Sequence, residues 1–108
     1  MTPYYDEDGI TIYHGRCEDV LPTLSGVGLV LTSPPYNLSG DGNQPSGTYF
    51  TNLRSGYVEH HDAMPHAEYV AWQRSVLEAC WATLTDDGAI FYNHKPIVRG
   101  NEMKLPLE

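Results

Sequence analysis

The chain has 108 residues, a formal net charge of -8 and 41% hydrophobic residues, 11% of the total being aromatic. That composition suits one small domain with a core and excludes both a multi-domain protein and a disordered one. The sign of the charge excludes a self-sufficient nucleic-acid binder, which presents a basic face to phosphates, so any DNA contact must draw on basic surface lying elsewhere.

In chain order, Tyr4 and Tyr5 lead through Asp6-Glu7-Asp8-Gly9 into Ile10-Thr11-Ile12-Tyr13-His14. An aspartate-glycine turn between β-favouring runs predicts a hairpin, with the second arm the stronger strand. Cys17 to Leu21 predicts a short helix with acids near its positive end, before Pro22 and Ser25-Gly26 return the chain to a strand from Val27 to Ser33. Neither Cys17 nor Cys80 has metal-ligand or disulfide spacing, and both are expected to be buried free thiols in a reducing cytoplasm. Nothing in the sequence reads as a signal peptide or a membrane span.

The strand ends against Pro34 and Pro35, which neither continue a ladder nor enter a helix smoothly. A stiff turn follows, carrying the Ser33 hydroxyl, carbonyls without competing proline amides, and the Tyr36 ring. In open α/β sheets ligands bind beyond the carboxyl ends of strands, which makes this turn a candidate site. Taken alone, the four residues also describe a proline-stiffened loop.

From Leu38 to Pro65 the sequence is rich in Gly, Ser, Asn, Thr, Tyr and His without a period, and predicts a long loop. Its glycines do not make a phosphate loop, since no strand leads directly in and no helix leads directly out. His60, His61, His66 and Asp62 are read as solvated loop residues and not as a metal site, for want of a second cluster. Pro65 to Leu84 predicts the main helix, with Tyr69, Val70, Val76, Leu77, Cys80, Trp81 and Leu84 as its core face. Asp86-Asp87-Gly88 is expected to stop it, and Ala89 to Asn93 to form a buried strand. Strand, helix and strand make the class α/β, with Ser33 and Asn93 ending neighbouring parallel strands on one crevice.

Thr32-Ser33-Pro34-Pro35-Tyr36 resembles the catalytic motif of the permuted, β-type amino-group DNA methyltransferases, and the Ser-Pro-Pro-Tyr form is similar to the N4-cytosine branch. The adenine branch more often has Asp or Asn at the place of Ser33. His14-Gly15-Arg16-Cys17 is similar to the family's His-Gly-Asp-Cys phrase, with an arginine where the acid that meets the cofactor is expected, and Gly28 stands where an aspartate often precedes the catalytic strand. Asn93-His94-Lys95 resembles the polar phrase that ends the following strand.

The resemblance implies a partial S-adenosylmethionine-dependent methyltransferase fold, Rossmann-like, with a truncated sheet. Catalytic positions would be Ser33, Pro34, Pro35 and Tyr36. Cofactor positions would be Asn37, Gly15 and Arg16, and DNA or base contacts would come from Tyr36, Asn37, Arg54, Asn93 and Lys95, with no metal. The substrate would be double-stranded DNA. The glycine-rich cofactor loop and the target-recognition region would lie outside these residues, leaving an N-terminal part that pairs with itself or with a complementary C-terminal half. Two readings therefore stand: part of an N4-cytosine methyltransferase, with the N6-adenine enzyme as its variant, or a non-catalytic assembly module.

Overall fold

A computed structural model describes residues 1–37 and 63–108. The expected loop from Leu38 therefore lies largely outside the described residues, as do Arg54, His60, His61 and Asp62. The elements are β1 (Tyr5–Glu7), β2 (Ile10–Ile12), α1 (Cys17–Val20), a 3-10 turn (Leu21–Thr23), β3 (Val27–Thr32), α2 (His66–Thr83), β4 (Leu84–Tyr92), β5 (Ile97–Arg99) and β6 (Glu102–Lys104). Among the described residues they make three two-stranded sheets, β1-β2, β3-β4 and β5-β6. The class is α/β, and two compact units divide the chain: Met1–Thr32 with Ser75–Phe91, and Ser33–Arg74 with Tyr92–Glu108.

The first unit opens on the expected hairpin. Asp8 and Gly9 both take positive φ, 53° and 78°, as a two-residue turn matched to the strand twist requires. Tyr5 faces Ile12, Glu7 faces Ile10, and the Thr11 hydroxyl donates to Asp6 Oδ1 across the pair at 2.8 Å. Helix α1 starts at Arg16, whose extended backbone (ψ 139°) turns its carbonyl to the amides of Asp19 and Val20, and Glu18 and Asp19 lie in the positive first turn. An apolar recess lined by Leu21, Pro22, Leu24, Ala79, Ala82 and Thr83 joins the 3-10 turn to the later part of α2. The Thr85 hydroxyl reaches the Val27 carbonyl at 3.5 Å, so the paired strands β3 and β4 begin at the same end and run in parallel.

Three expectations are corrected in this unit. Cys17 is exposed, not buried, while Cys80 is buried as expected. Trp81 is 73% exposed, so the core face of α2 is narrower than its apolar spacing suggests. The helix ends at Thr83, whose hydroxyl returns to the Cys80 carbonyl at 2.7 Å, and Asp86-Asp87-Gly88 belongs to β4. Gly88 has no positive φ; a Cβ there would lie 3.1 Å from Leu84 and from the Thr85 carbonyl, so a side chain would require those neighbours to give by a few tenths of an ångström.

The second unit is organised by the first turns of α2. The Pro65 carbonyl accepts the Tyr69 amide at 3.0 Å, which opens the helix. Tyr69 and Gln73, one turn apart and therefore on one face, are both fully buried. The chain then closes with a hairpin absent from the sequence reading, β5 on β6, around Gly100 at φ 59°. Its last carbonyls are taken by α2: Gln73 Nε2 donates to Pro106 at 2.5 Å, Arg74 to Leu107 at 3.1 Å, and the His66 ring meets Glu108.

Candidate active site

Ser33 directly follows β3 and Asn93 directly follows β4, so both polar residues stand where the chain leaves a parallel strand. Within the second unit they meet. Ser33 Oγ lies 2.7 Å from the Tyr36 hydroxyl, and Asn93 Nδ2 donates to Tyr36 at 2.9 Å and to Ser33 Oγ at 3.3 Å. An amide nitrogen has two hydrogens, enough for both contacts. Where Ser33 donates to Tyr36, Oγ keeps one lone pair open and the phenol keeps its own proton for an outside acceptor. The cluster is therefore amphoteric, with one acceptor and one donor to offer.

The Tyr36 ring is half-buried, its centroid 4.8 Å from that of His94 at a tilt of 40°, and Lys95 Nζ stands over it at 5.8 Å. That places a cation on an aromatic face, a modest attraction at an exposed site. The pyrrolidine rings of Pro34 and Pro35 remove two amide donors from the turn, so its anchorage falls mainly to its carbonyls and side chains. The Pro35 carbonyl accepts from the Tyr69 hydroxyl at 2.5 Å. Among the described residues, no hydrogen bond of this cluster uses the Pro34 carbonyl.

Asn37 is 5% exposed and left-handed, with φ 59°. Its Nδ2 donates to the Met64 carbonyl at 2.7 Å and its Oδ1 accepts the Met64 amide at 2.8 Å. The side chain thus ties together two backbone positions 27 residues apart. Its near-complete burial leaves this amide little room for a cofactor or base contact.

Of the residues singled out from sequence, Ser33, Pro35, Tyr36, Asn93 and Lys95 come together in the second unit, with Asn37 beside them in the chain. Gly15 and Arg16 belong to the first unit, where the Arg16 guanidinium pairs with Glu18 at 3.3 Å. Sequence reasoning missed Tyr69, Gln73, Tyr92 and His94 as members of the network. Tyr69 reads as core from its spacing, and the one available signal was its phenol, which a buried tyrosine must satisfy. Burial pushes the His94 imidazole below its usual 6.5, a hydrogen bond to the Lys95 backbone opposes that, and the Lys95 charge adds to it. Among the described residues no group of three His, Cys, Asp or Glu side chains is arranged to hold a metal. Partial burial, a hydrogen bond to Glu18 and that carboxylate's charge push the Cys17 thiol up to about 11, so it is a poor nucleophile.

No protein-family model matches the chain. Over 99 residues, 90% of its length, it is 30% identical to the type II methyltransferase M.BglII of Bacillus subtilis. The chain is similar to type II methyltransferases. A second such relative, M.MjaVI of Methanocaldococcus jannaschii, is 29% identical over 86 residues, 80% of the chain. The chain spans 22% of the length of the first and 37% of the second. No helix among the described residues is long and apolar enough to cross a membrane.

Proposed function

We propose that this chain carries the methyl-transfer turn of a type II DNA methyltransferase of a restriction-modification system, acting in the cytoplasm on the exocyclic N4 of a flipped cytosine in double-stranded DNA. The observation that supports this reading is the convergence of Ser33, Tyr36 and Asn93 in a chain so similar to type II methyltransferases. An exocyclic amine is a weak nucleophile because its lone pair is delocalised into the ring. Acceptors aimed at its hydrogens favour the more tetrahedral nitrogen needed for attack. Ser33 Oγ, when it donates to Tyr36, has a lone pair for one hydrogen, and the Pro34 carbonyl is the acceptor for the other. Asn93 holds the two hydroxyls in place. The Tyr36 ring packs on the extrahelical base and offsets part of the cost of unstacking it, and Lys95 supplies a positive charge for the phosphates.

S-adenosylmethionine, when bound, supplies the methyl as a substituent of an electrophilic sulfonium. The fit of the described residues to its carrier is poor outside the turn, since Arg16 stands where an acidic contact is expected and is paired with Glu18. We assign most of its contacts to sequence outside the region shared with the relatives. Base choice follows from Ser33 standing where an acid or an asparagine is more common in the adenine enzymes. A second reading, an assembly module completed by a complementary C-terminal half or by another copy, is favoured by the exposure of Leu29, Leu31, Trp81 and Phe91.

The test is methylation of double-stranded DNA by the full-length enzyme built around this segment, with nucleosides analysed by mass spectrometry. N4-methylcytosine is expected, lost in Ser33→Ala and Tyr36→Ala with the fold retained. N6-methyladenine alone reverses the base choice, and wild-type turnover in either variant removes the turn from the mechanism.

A further inference from the structure

Tyr69 and His94 take no part in the chemistry proposed for the turn, yet both reach it through hydrogen bonds. The Tyr69 oxygen lies 2.5 Å from the Pro35 carbonyl and 2.6 Å from His94 Nε2. A carbonyl has no hydrogen to give, so the single phenolic proton points at Pro35, and His94 Nε2–H must donate to the Tyr69 oxygen. In a neutral ring Nδ1 is then the acceptor, with the Lys95 amide 2.7 Å from it and the Lys95 carbonyl, at 2.9 Å, left without a donor there. The other neutral tautomer would turn Nδ1–H to the Lys95 carbonyl at 2.9 Å, but Nε2 and the Pro35 carbonyl would then compete for one phenolic proton. One of two short contacts would be left as acceptor against acceptor, which is costly at a fully buried tyrosine.

We infer that Tyr69 and His94 are positioning residues of the turn from Ser33 to Tyr36: a one-way relay, Lys95 N–H to His94 to Tyr69 to the Pro35 carbonyl, fixes the peptide joining Pro35 to Tyr36. With two prolines in the turn, that carbonyl is among the few backbone handles available, and its orientation sets where the Tyr36 hydroxyl meets Ser33 and Asn93. Most groups around His94 favour the neutral ring that the relay needs, the hydrogen bond to the Lys95 backbone opposing them. They are the rings of Tyr36, Tyr69 and Tyr92 at 4.8, 5.9 and 6.0 Å and the like-charged Lys95. The inference concerns the turn's own geometry, whatever ligand meets it, and does not rest on methyl transfer.

Nuclear magnetic resonance of the isotope-labelled chain tests it without cofactor or DNA. Above the ordinary imidazole range of pH, the nitrogen shifts of His94 should report Nε2–H with an unprotonated Nδ1; the opposite tautomer overturns the relay. Tyr69→Phe should displace the amide signal of Tyr36 and abolish the tautomer preference of His94; an unmoved Tyr36 signal would also overturn it. The deciding pair is His94→Gln against His94→Phe. Glutamine reaches the Nε2 position with an N–H donor, whereas phenylalanine keeps the ring and loses the donor. The relay therefore expects wild-type Tyr36 signals in His94→Gln and displaced ones in His94→Phe, while a packing role for the ring expects the reverse order. Because the wild-type tautomer and the His94 pair do not depend on Tyr69→Phe, the inference stays testable where that variant fails to fold.

Discussion

At the scale of single residues, Asn37 and His94 make demands that can be separated by substitution. Asn37 combines a left-handed backbone with two hydrogen bonds to Met64. Loss of the amide leaves part-buried backbone groups unpaired, which costs about 1–3 kcal/mol. An alanine there also meets a left-handed penalty of roughly 1–2 kcal/mol that glycine avoids. Urea unfolding should therefore rank wild type above Asn37→Gly and Asn37→Gly above Asn37→Ala, and equal midpoints for the two variants would remove the backbone part of the argument. For His94, the folded state holds the imidazole below 6.5, so an unfolded chain binds more protons over that window. The resulting stability is complete above 6.5 and is lost as pH falls through the lowered folded value. Denaturation midpoints should fall across that window in the wild type and less in His94→Gln, the difference between the two curves isolating this group from the carboxylates. These demands were only partly legible beforehand. The Ser-Pro-Pro-Tyr turn shows itself because two prolines in sequence have few conformational options, but a carbonyl caught by a phenol 34 residues away leaves no local mark.

At the scale of elements, α2 does more than supply a hydrophobic face. Gln73, fully buried, accepts from the Tyr92 hydroxyl at 2.8 Å and donates to the Pro106 carbonyl, so one side chain ties the end of β4 and the closing segment to the helix. Gln73→Leu fills similar space but leaves both partners without their bond, and should lower stability by about 1–3 kcal/mol. Combined with Tyr92→Phe, the loss should be less than the sum, because both changes remove one shared contact. Additive losses in a double-mutant cycle would dissolve the proposed tie. The existence and type of the early elements were readable, since Asp8-Gly9 specifies a tight hairpin and the run Val27 to Thr32 specifies a strand. The end of α2 was not, because Gly88 makes no left-handed turn of the kind its neighbours suggest and instead lies in β4, close against Leu84 and the Thr85 carbonyl. The β5-β6 hairpin carried a usable signal in Gly100-Asn101 between two short β-compatible runs. The polar partner hidden in the apolar spacing of α2 carried none, since period alone reports which face is inward and not which inward residues hydrogen-bond.

At the scale of the whole molecule, the first unit leaves much apolar surface in water. Leu29 is 55% exposed, Leu31 76%, Phe91 61% and Trp81 73%, and among the described residues β3 and β4 pair only with each other. Spacing alone puts Trp81 in the core, and the physical reason for the difference is that an amphipathic pattern marks a face to be covered without saying which chain covers it. Unpaired strand edges beside exposed aromatics promote association, and charge is the main force opposing it. At -8 the chain repels its copies over a Debye length, so added salt screens the repulsion while leaving the apolar attraction in place. The purified chain should therefore self-associate, and more strongly at high than at low ionic strength. Light scattering across protein and salt concentrations checks this, with Leu31→Ser and Trp81→Ser expected to shift the chain toward monomer. Calorimetric titration of the same samples with S-adenosylmethionine should show no binding in the micromolar range, because Arg16, paired with Glu18, stands where an acidic contact to the cofactor is expected. A monomer at all salt concentrations that binds the cofactor tightly would show that this chain is self-sufficient and that its exposed strands need no cover.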